Sequence, residues 1–135
     1  MTRSNQALIA ARGGALCYMA WGIFHVGVAR DIYGNGVAQA GIVQGRLFQF
    51  AAYMLCIALF AIVVAVLGNW HNSRLGYWLN LCVVGWADGV WVLVVVLPGY
   101  VSPLRGLAPP AVFLLGAVLT TVARAISRRT PPKPL

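Results

Sequence analysis

Gly45-Arg-Leu-Phe-Gln-Phe-Ala-Ala-Tyr-Met-Leu-Cys-Ile-Ala-Leu-Phe-Ala-Ile-Val-Val-Ala-Val-Leu67 carries one charge, Arg46, and none from there to its end. A helix needs about 20 apolar residues to cross the hydrocarbon layer of a bilayer, and this run has the length. A strand of a membrane barrel would alternate apolar and polar side chains. The stretch from Leu47 to Phe60 does not alternate, so it reads as a transmembrane helix. The same reading applies to Leu8 to Ala29, Leu75 to Leu97 and Ala108 to Ile126.

Connections of about 15, 7 and 10 residues between these spans leave no room for an extramembrane domain and favour antiparallel neighbours. The expected fold is all-α, a four-helix transmembrane bundle of up-down topology, forming a single integral membrane domain over residues 1–135. Composition agrees: 61% of the 135 residues are hydrophobic and 9% charged, with a mean hydropathy of +0.81. That excludes a water-soluble globule.

The net charge of +8 raises the question of nucleic acid. Its placement answers no, because the charges sit at the ends of apolar runs and in a tail, with no basic helix face interleaved with aromatics. Arg3, Arg12, Arg74, Arg124, Arg128, Arg129 and Lys133 fall on the side of both termini, and Arg30, Arg46 and Arg105 on the other. The excess of positive charge predicts cytoplasmic termini in an inner (plasma) membrane. Trp70, Tyr77 and Trp78 at one interface and Tyr33 and Tyr100 at the other are expected as anchors.

Gly27-Val28-Ala29 is a small-x-small site behind an apolar core, which invites a signal-peptide reading; the first span is expected to stay attached as a helix of the bundle. The glycine-rich Asp31 to Gln44 is expected as a flexible loop or an interfacial lid over the outer mouth. Ser127 to Leu135, basic and proline-rich, is expected as a disordered tail held near anionic lipid.

Asp88 is the residue that demands a reason, since an aspartate near the middle of a span costs roughly 3 kcal/mol on insertion scales. It is either a proton-handling or ligand-fixing group, or a hydrogen-bonded device that ties helices together. At 100° per residue, Tyr77, Leu81, Val84, Asp88, Trp91 and Val95 share one face of the third span, with Trp86 opposite, facing lipid. Gly85 and Gly89 form a GxxxG pair beside that stripe. In the first span His25 shares a face with Gly14, Tyr18, Trp21 and Gly22. In the second, Arg46, Gln49, Tyr53 and Cys56 share one.

With those faces inward, His25, Arg46, Gln49 and Asp88 are expected to converge in the outer half. Gln49, Tyr53, Arg46 and His25 are the candidate partners of Asp88, in that order. Trp21 and Trp91 would wall a cavity with π surface and N–H donors, suited to a flat apolar ligand. His25 and Asp88 are the catalytic candidates if acid–base chemistry occurs. No metal or cofactor is expected. His25 and His71 lie on opposite sides of the membrane, and Cys17, Cys56 and Cys82 stand in three spans without C-x-x-C spacing, as small core residues.

Leu75-Gly-Tyr-Trp-Leu-Asn80 and Val96-Leu-Pro-Gly-Tyr100, in this four-span outline, resemble segments of the small four-helix bacterial integral membrane proteins grouped as DoxX-like or left uncharacterised. The resemblance implies the membrane bundle and carries over no activity or site residue. Two functions stay open. One is an accessory or scaffold subunit, with a membrane-protein partner or a homo-oligomer besides the lipid bilayer. The other is a bundle that binds an apolar ligand (quinone, isoprenoid or other lipid), with or without chemistry at Asp88 and His25. The ligand-binding candidates are Trp21, His25, Arg46, Gln49, Tyr53, Asp88 and Trp91.

Overall fold

The computed structural model describes residues 2–129, and those residues form four long helices and one short one. Helix α1 spans Arg3–Val37 and α2 spans Gly41–Leu67. After a 3-10 turn at Asn69–His71, α3 spans Arg74–Trp91 and continues as a π-helical turn, Val92–Val96. The four-residue α4, Pro103–Gly106, precedes α5, Ala108–Arg128. Four of these segments are long and apolar enough to cross a membrane, so the chain is a multi-pass membrane protein with the all-α bundle expected.

Local chemistry sets the helix ends. The Thr2 hydroxyl accepts from the Asn5 N–H and the Ser73 hydroxyl from the Gly76 N–H, each satisfying a first-turn donor that has no helical partner. Pro103 opens α4, and Pro109 and Pro110 lie in the first turn of α5, where a missing N–H costs little. Gly41 enters α2 at φ +62°, a conformation that a side chain would strain, and this reverses the chain within three residues of the end of α1.

The expected loop or lid at Asp31 to Gln44 is largely helix. Glycine weakens a helix by about 1 kcal/mol relative to alanine, but packing outweighs that here. Gly36 sits against the Phe48 ring, where a Cβ would come within 2.9 Å, and Tyr33 stacks on Phe48 at 4.6 Å. At 1.5 Å per residue α1 is roughly 50 Å long, well beyond the ~30 Å of hydrocarbon. The expected tail also begins as helix, since Ser127 and Arg128 belong to α5. Residues 130–135, including Lys133, lie outside the described residues.

The helices run up and down. At the end that carries the termini, Asn72 donates to the Ser127 hydroxyl (2.7 Å), Arg124 donates to the Asn72 carbonyl (2.8 Å), and Arg12 lies over the Trp70 ring. At the far end, Trp91 Nε1 donates to the Gly106 carbonyl at 2.8 Å and so ties α3 to α4.

Small residues bring the axes together, as is usual where lipid removes the hydrophobic drive for helix association. A Cβ at Gly14 would stand 2.9 Å from the Gly116 carbonyl oxygen, and one at Gly22 would stand 2.8 Å from that of Ala58. The expected Gly85/Gly89 pair does not act this way: Gly85 meets only the Phe113 ring, and Gly89 has nothing within 4 Å. The core gathers Tyr18, Trp21, Val84 and Phe113 around alanines of α1, α2 and α5. Apolar side chains also cover the outside. Trp86 is 76% exposed on the outer face of α3. Cys56 and Cys82, expected in the core, face outward, and only Cys17 is half-buried.

Candidate functional site

Asp88 falls on the inward stripe of α3 beside Val84, and it is 4% exposed. Its one hydrogen-bonding neighbour among the described residues is Trp21 of α1, whose indole N–H is shared between the two carboxyl oxygens, 3.1 Å from each. A carboxyl group has room for about four hydrogen bonds. One donor leaves most of that capacity unused, in a place where an unsatisfied polar group is costly.

One turn further along α1, His25 is stacked on Trp21, with ring centroids 3.7 Å apart, and Phe24 meets the imidazole edge-on. His25 Nδ1 lies 2.8 Å from the Trp21 carbonyl oxygen. That oxygen can only accept, so Nδ1 donates and Nε2 is the ring's remaining polar atom. No hydrogen bond joins His25 to Asp88 among the described residues. Trp21 stands between them, fixed by its ring to one and by its N–H to the other.

These groups open onto a cavity of about 310 Å³ in the half of the bundle away from the termini. Trp21, His25, Asp88 and Trp91 line it, together with Arg105. Aromatic and aliphatic surface makes up the rest, with Phe24 and Pro109 on one side and Phe50 and Met54 on the other. A small number of polar groups set in an apolar wall is the usual makeup of a small-molecule site, and the volume is at the lower end of the usual ~300–1,000 Å³.

Helix α4 packs at the end of the bundle away from the termini and contributes Arg105 to the cavity lining. Trp91 holds it through Gly106, and Gly106 rests on Val96, where a Cβ would come within 2.8 Å of a valine methyl. Val96 reaches that contact from the π-helical turn, in which the Leu97 N–H bonds the Val92 carbonyl five residues back. Such turns recur at functional sites because they rotate the side chains beyond them. The residue that a connection brings to the cavity, Arg105, therefore comes from the third connection, not from the first.

Of the residues singled out in the sequence, the structure brings Trp21, His25, Asp88 and Trp91 to this cavity. It does not bring Arg46, Gln49 and Tyr53, which lie on the exposed side of α2, where Gln49 donates to the Tyr53 hydroxyl at 2.7 Å. The inward side of α2 is set by Ala51, Ala58, Ala61 and Ala65. Small side chains let α1 approach, and that gain outweighs burying three polar groups that can hydrogen-bond near the membrane surface. Phe50 and Met54 are what α2 contributes instead. Arg105 was missed because it reads as an ordinary charge in a loop; its isolation in a connection bounded by Pro98 and Pro109 is the one hint the sequence offers.

No family model, curated protein or solved structure matches the chain.

Proposed function

We propose that this protein binds a flat, amphipathic small molecule inside the membrane, in the cavity lined by α1, α2 and α3 and closed off at one side by Arg105 and Pro109. The observation that carries the reading is Asp88: a buried carboxyl group with a single N–H donor, facing a cavity, has hydrogen-bonding capacity that nothing else among the described residues uses. A ligand hydroxyl or amine would use it. Trp21, His25 and Trp91 offer ring faces for a planar head, and Arg105 offers a cationic donor at the mouth. The seven-to-three excess of Lys and Arg supports cytoplasmic termini, which would put the cavity in the outer leaflet. The resemblance to small DoxX-like bacterial proteins supports an inner membrane.

The binding test uses 2-amino-1,4-naphthoquinone, a neutral ring with an N–H donor, as probe, with Trp70, Trp78 and Trp86 replaced by Phe so that Trp21 and Trp91 report. Saturable quenching in lipid nanodiscs, weakened by Asp88→Asn, is the expected result. Quenching that rises linearly with quinone and ignores that substitution would show partition into lipid alone. Orientation is checked with Ser4→Cys and Ser102→Cys, of which only the second should react with a membrane-impermeant maleimide added to intact cells.

A second reading, an accessory or scaffold subunit of a membrane complex or homo-oligomer, draws on the outer face of α3. There Trp86 projects and Gly89 is open to close approach. Crosslinking in the native membrane from position 86 would give a discrete product if that face is covered, and none if it meets only lipid.

A further inference from the structure

A second, larger hollow lies next to the cavity. It is a groove of about 620 Å³ along the outer side of α2 and α3, walled by Ile57, Cys82, Val83, Trp86, Val90 and Val94 among others. Phe50, Met54, Ala87 and Trp91 line both hollows. They form a shared partition, so the groove and the cavity are neighbouring compartments of one space between α2 and α3. All the charged and strongly polar groups, Asp88, His25 and Arg105, are on the cavity side. On the groove side no charged side chain lines the wall, which is aliphatic and aromatic with two indoles, Trp86 and Trp91, and the sulfur atoms of Met54 and Cys82.

Resting on the cavity reading above, we infer that the natural ligand is a long-chain amphiphile, a polar ring carrying an isoprenoid-like tail, which enters sideways from the bilayer between α2 and α3. The ring lies in the cavity, and the chain passes the Phe50/Met54/Ala87/Trp91 partition and lies in the groove. The division of charge is the argument: one compartment holds Asp88, His25 and Arg105 and suits a polar head, and its neighbour has no charged side chain and suits a hydrocarbon chain. Met54, unbranched and free to change rotamer, is suited to let the chain through. The groove runs along the outward side of α2 and α3, so a molecule dissolved in the bilayer already lies alongside it.

Lipid tails are as apolar as the groove, so the chain gains little hydrophobic energy by moving from bilayer to protein. The groove selects by shape and by its continuity with the head site. The decisive measurement is therefore where the chain lies, not how tightly the molecule binds.

A 2-amino-1,4-naphthoquinone with an isoprenoid-like chain bearing a diazirine at its middle is photolysed with the protein in nanodiscs, and the adducts are mapped by mass spectrometry. Adducts concentrated on Cys82, Val83, Trp86 and Val90, and reduced several-fold both by Asp88→Asn and by the groove-filling Val90→Trp, are the expected result. Adducts spread equally over Leu114 and Val118, on the exposed face of α5, would overturn it. If the unchained ring still quenches Trp21 and Trp91 saturably while adducts scatter, the chain placement fails and the cavity reading stands. If saturable quenching is also absent, both fail.

Discussion

Two buried polar clusters sit along α3, one near the end that carries the termini and one near the middle of the span, and they are built differently. Near the termini, the Asn80 side-chain amide is fully buried, 3.2 Å from the Ala61 carbonyl oxygen and 2.9 Å from the Asn69 amide. Around it Gly68 and Gly76 press backbone on backbone: a Cβ at Gly76 would stand 2.6 Å from the Gly68 Cα. Eight residues on, Asp88 is equally hidden from solvent but has one donor and an open cavity beside it. In the first cluster the Asn80 amide N–H groups hold α2, the turn and α3 together, and its Oδ1, without a partner among the described residues, is sealed in by packing. In the second the carboxyl group faces a cavity that a ligand can enter. Burial alone therefore does not mark function in a membrane bundle; unused hydrogen-bonding capacity beside a cavity does.

The largest effect is expected at the sealed end. Gly76→Leu forces the α2 and α3 backbones apart and should cost about 3 kcal/mol or more, near the upper range for overpacking. Thermal unfolding in detergent reads it, and an unchanged midpoint would mean that the Gly68/Gly76 contact is not a constraint. Next comes Asn80→Leu, which strands the Asn69 amide and should cost ~1–3 kcal/mol while ring binding by the folded protein stays as it was. Weaker binding in that variant would join the two clusters into one functional unit and break the contrast.

Asp88→Asn inverts the pattern. The amide oxygen still accepts from Trp21, so stability should change by only ~1 kcal/mol or less, the scale measured for interhelical hydrogen bonds in membranes. Ring affinity should fall roughly tenfold or more, the equivalent of one hydrogen bond to a charged group. Any proton transfer routed through the carboxyl group would be lost outright, because an amide does not exchange a proton at usable pH; the general acid–base contribution is typically ~10²- to 10⁴-fold. Unfolding without a separate binding defect would make Asp88 a fastening like Asn80. The smallest effect belongs to Arg105→Gln at the exposed mouth. Stability should stay within ~0.5 kcal/mol, and binding of the ring, whose carbonyl oxygens can accept from Arg105, should weaken a few-fold. Unchanged binding would place the ring away from the mouth.

The sequence by itself determined the helices and the inward face of α3. Long uncharged runs have one stable form in lipid, because every backbone N–H and C=O must be satisfied within the segment. A single carboxyl group on an apolar helix, with an indole on the opposite side, has one sensible rotation, which the structure shows in buried Asp88 and exposed Trp86. Trp21 and His25 were legible for a related reason, since they share a face with the glycines that α1 turns toward its neighbours.

Only the tertiary structure decided the rest. Near the membrane surface a polar side chain has partners on either face, so Arg46, Gln49 and Tyr53 do not dictate how α2 turns. The alanines do, through a close approach that exists only once α1 is present. Gly34 and Gly36 read as a break until Phe48 packs against the second of them and makes helix the better state. Arg105 reaches the cavity because a π-helical turn and one indole hydrogen bond fold α4 against the end of the bundle. Each of these outcomes depends on contacts between residues distant in the chain, and the energy of such a contact is not a property of either residue's local sequence.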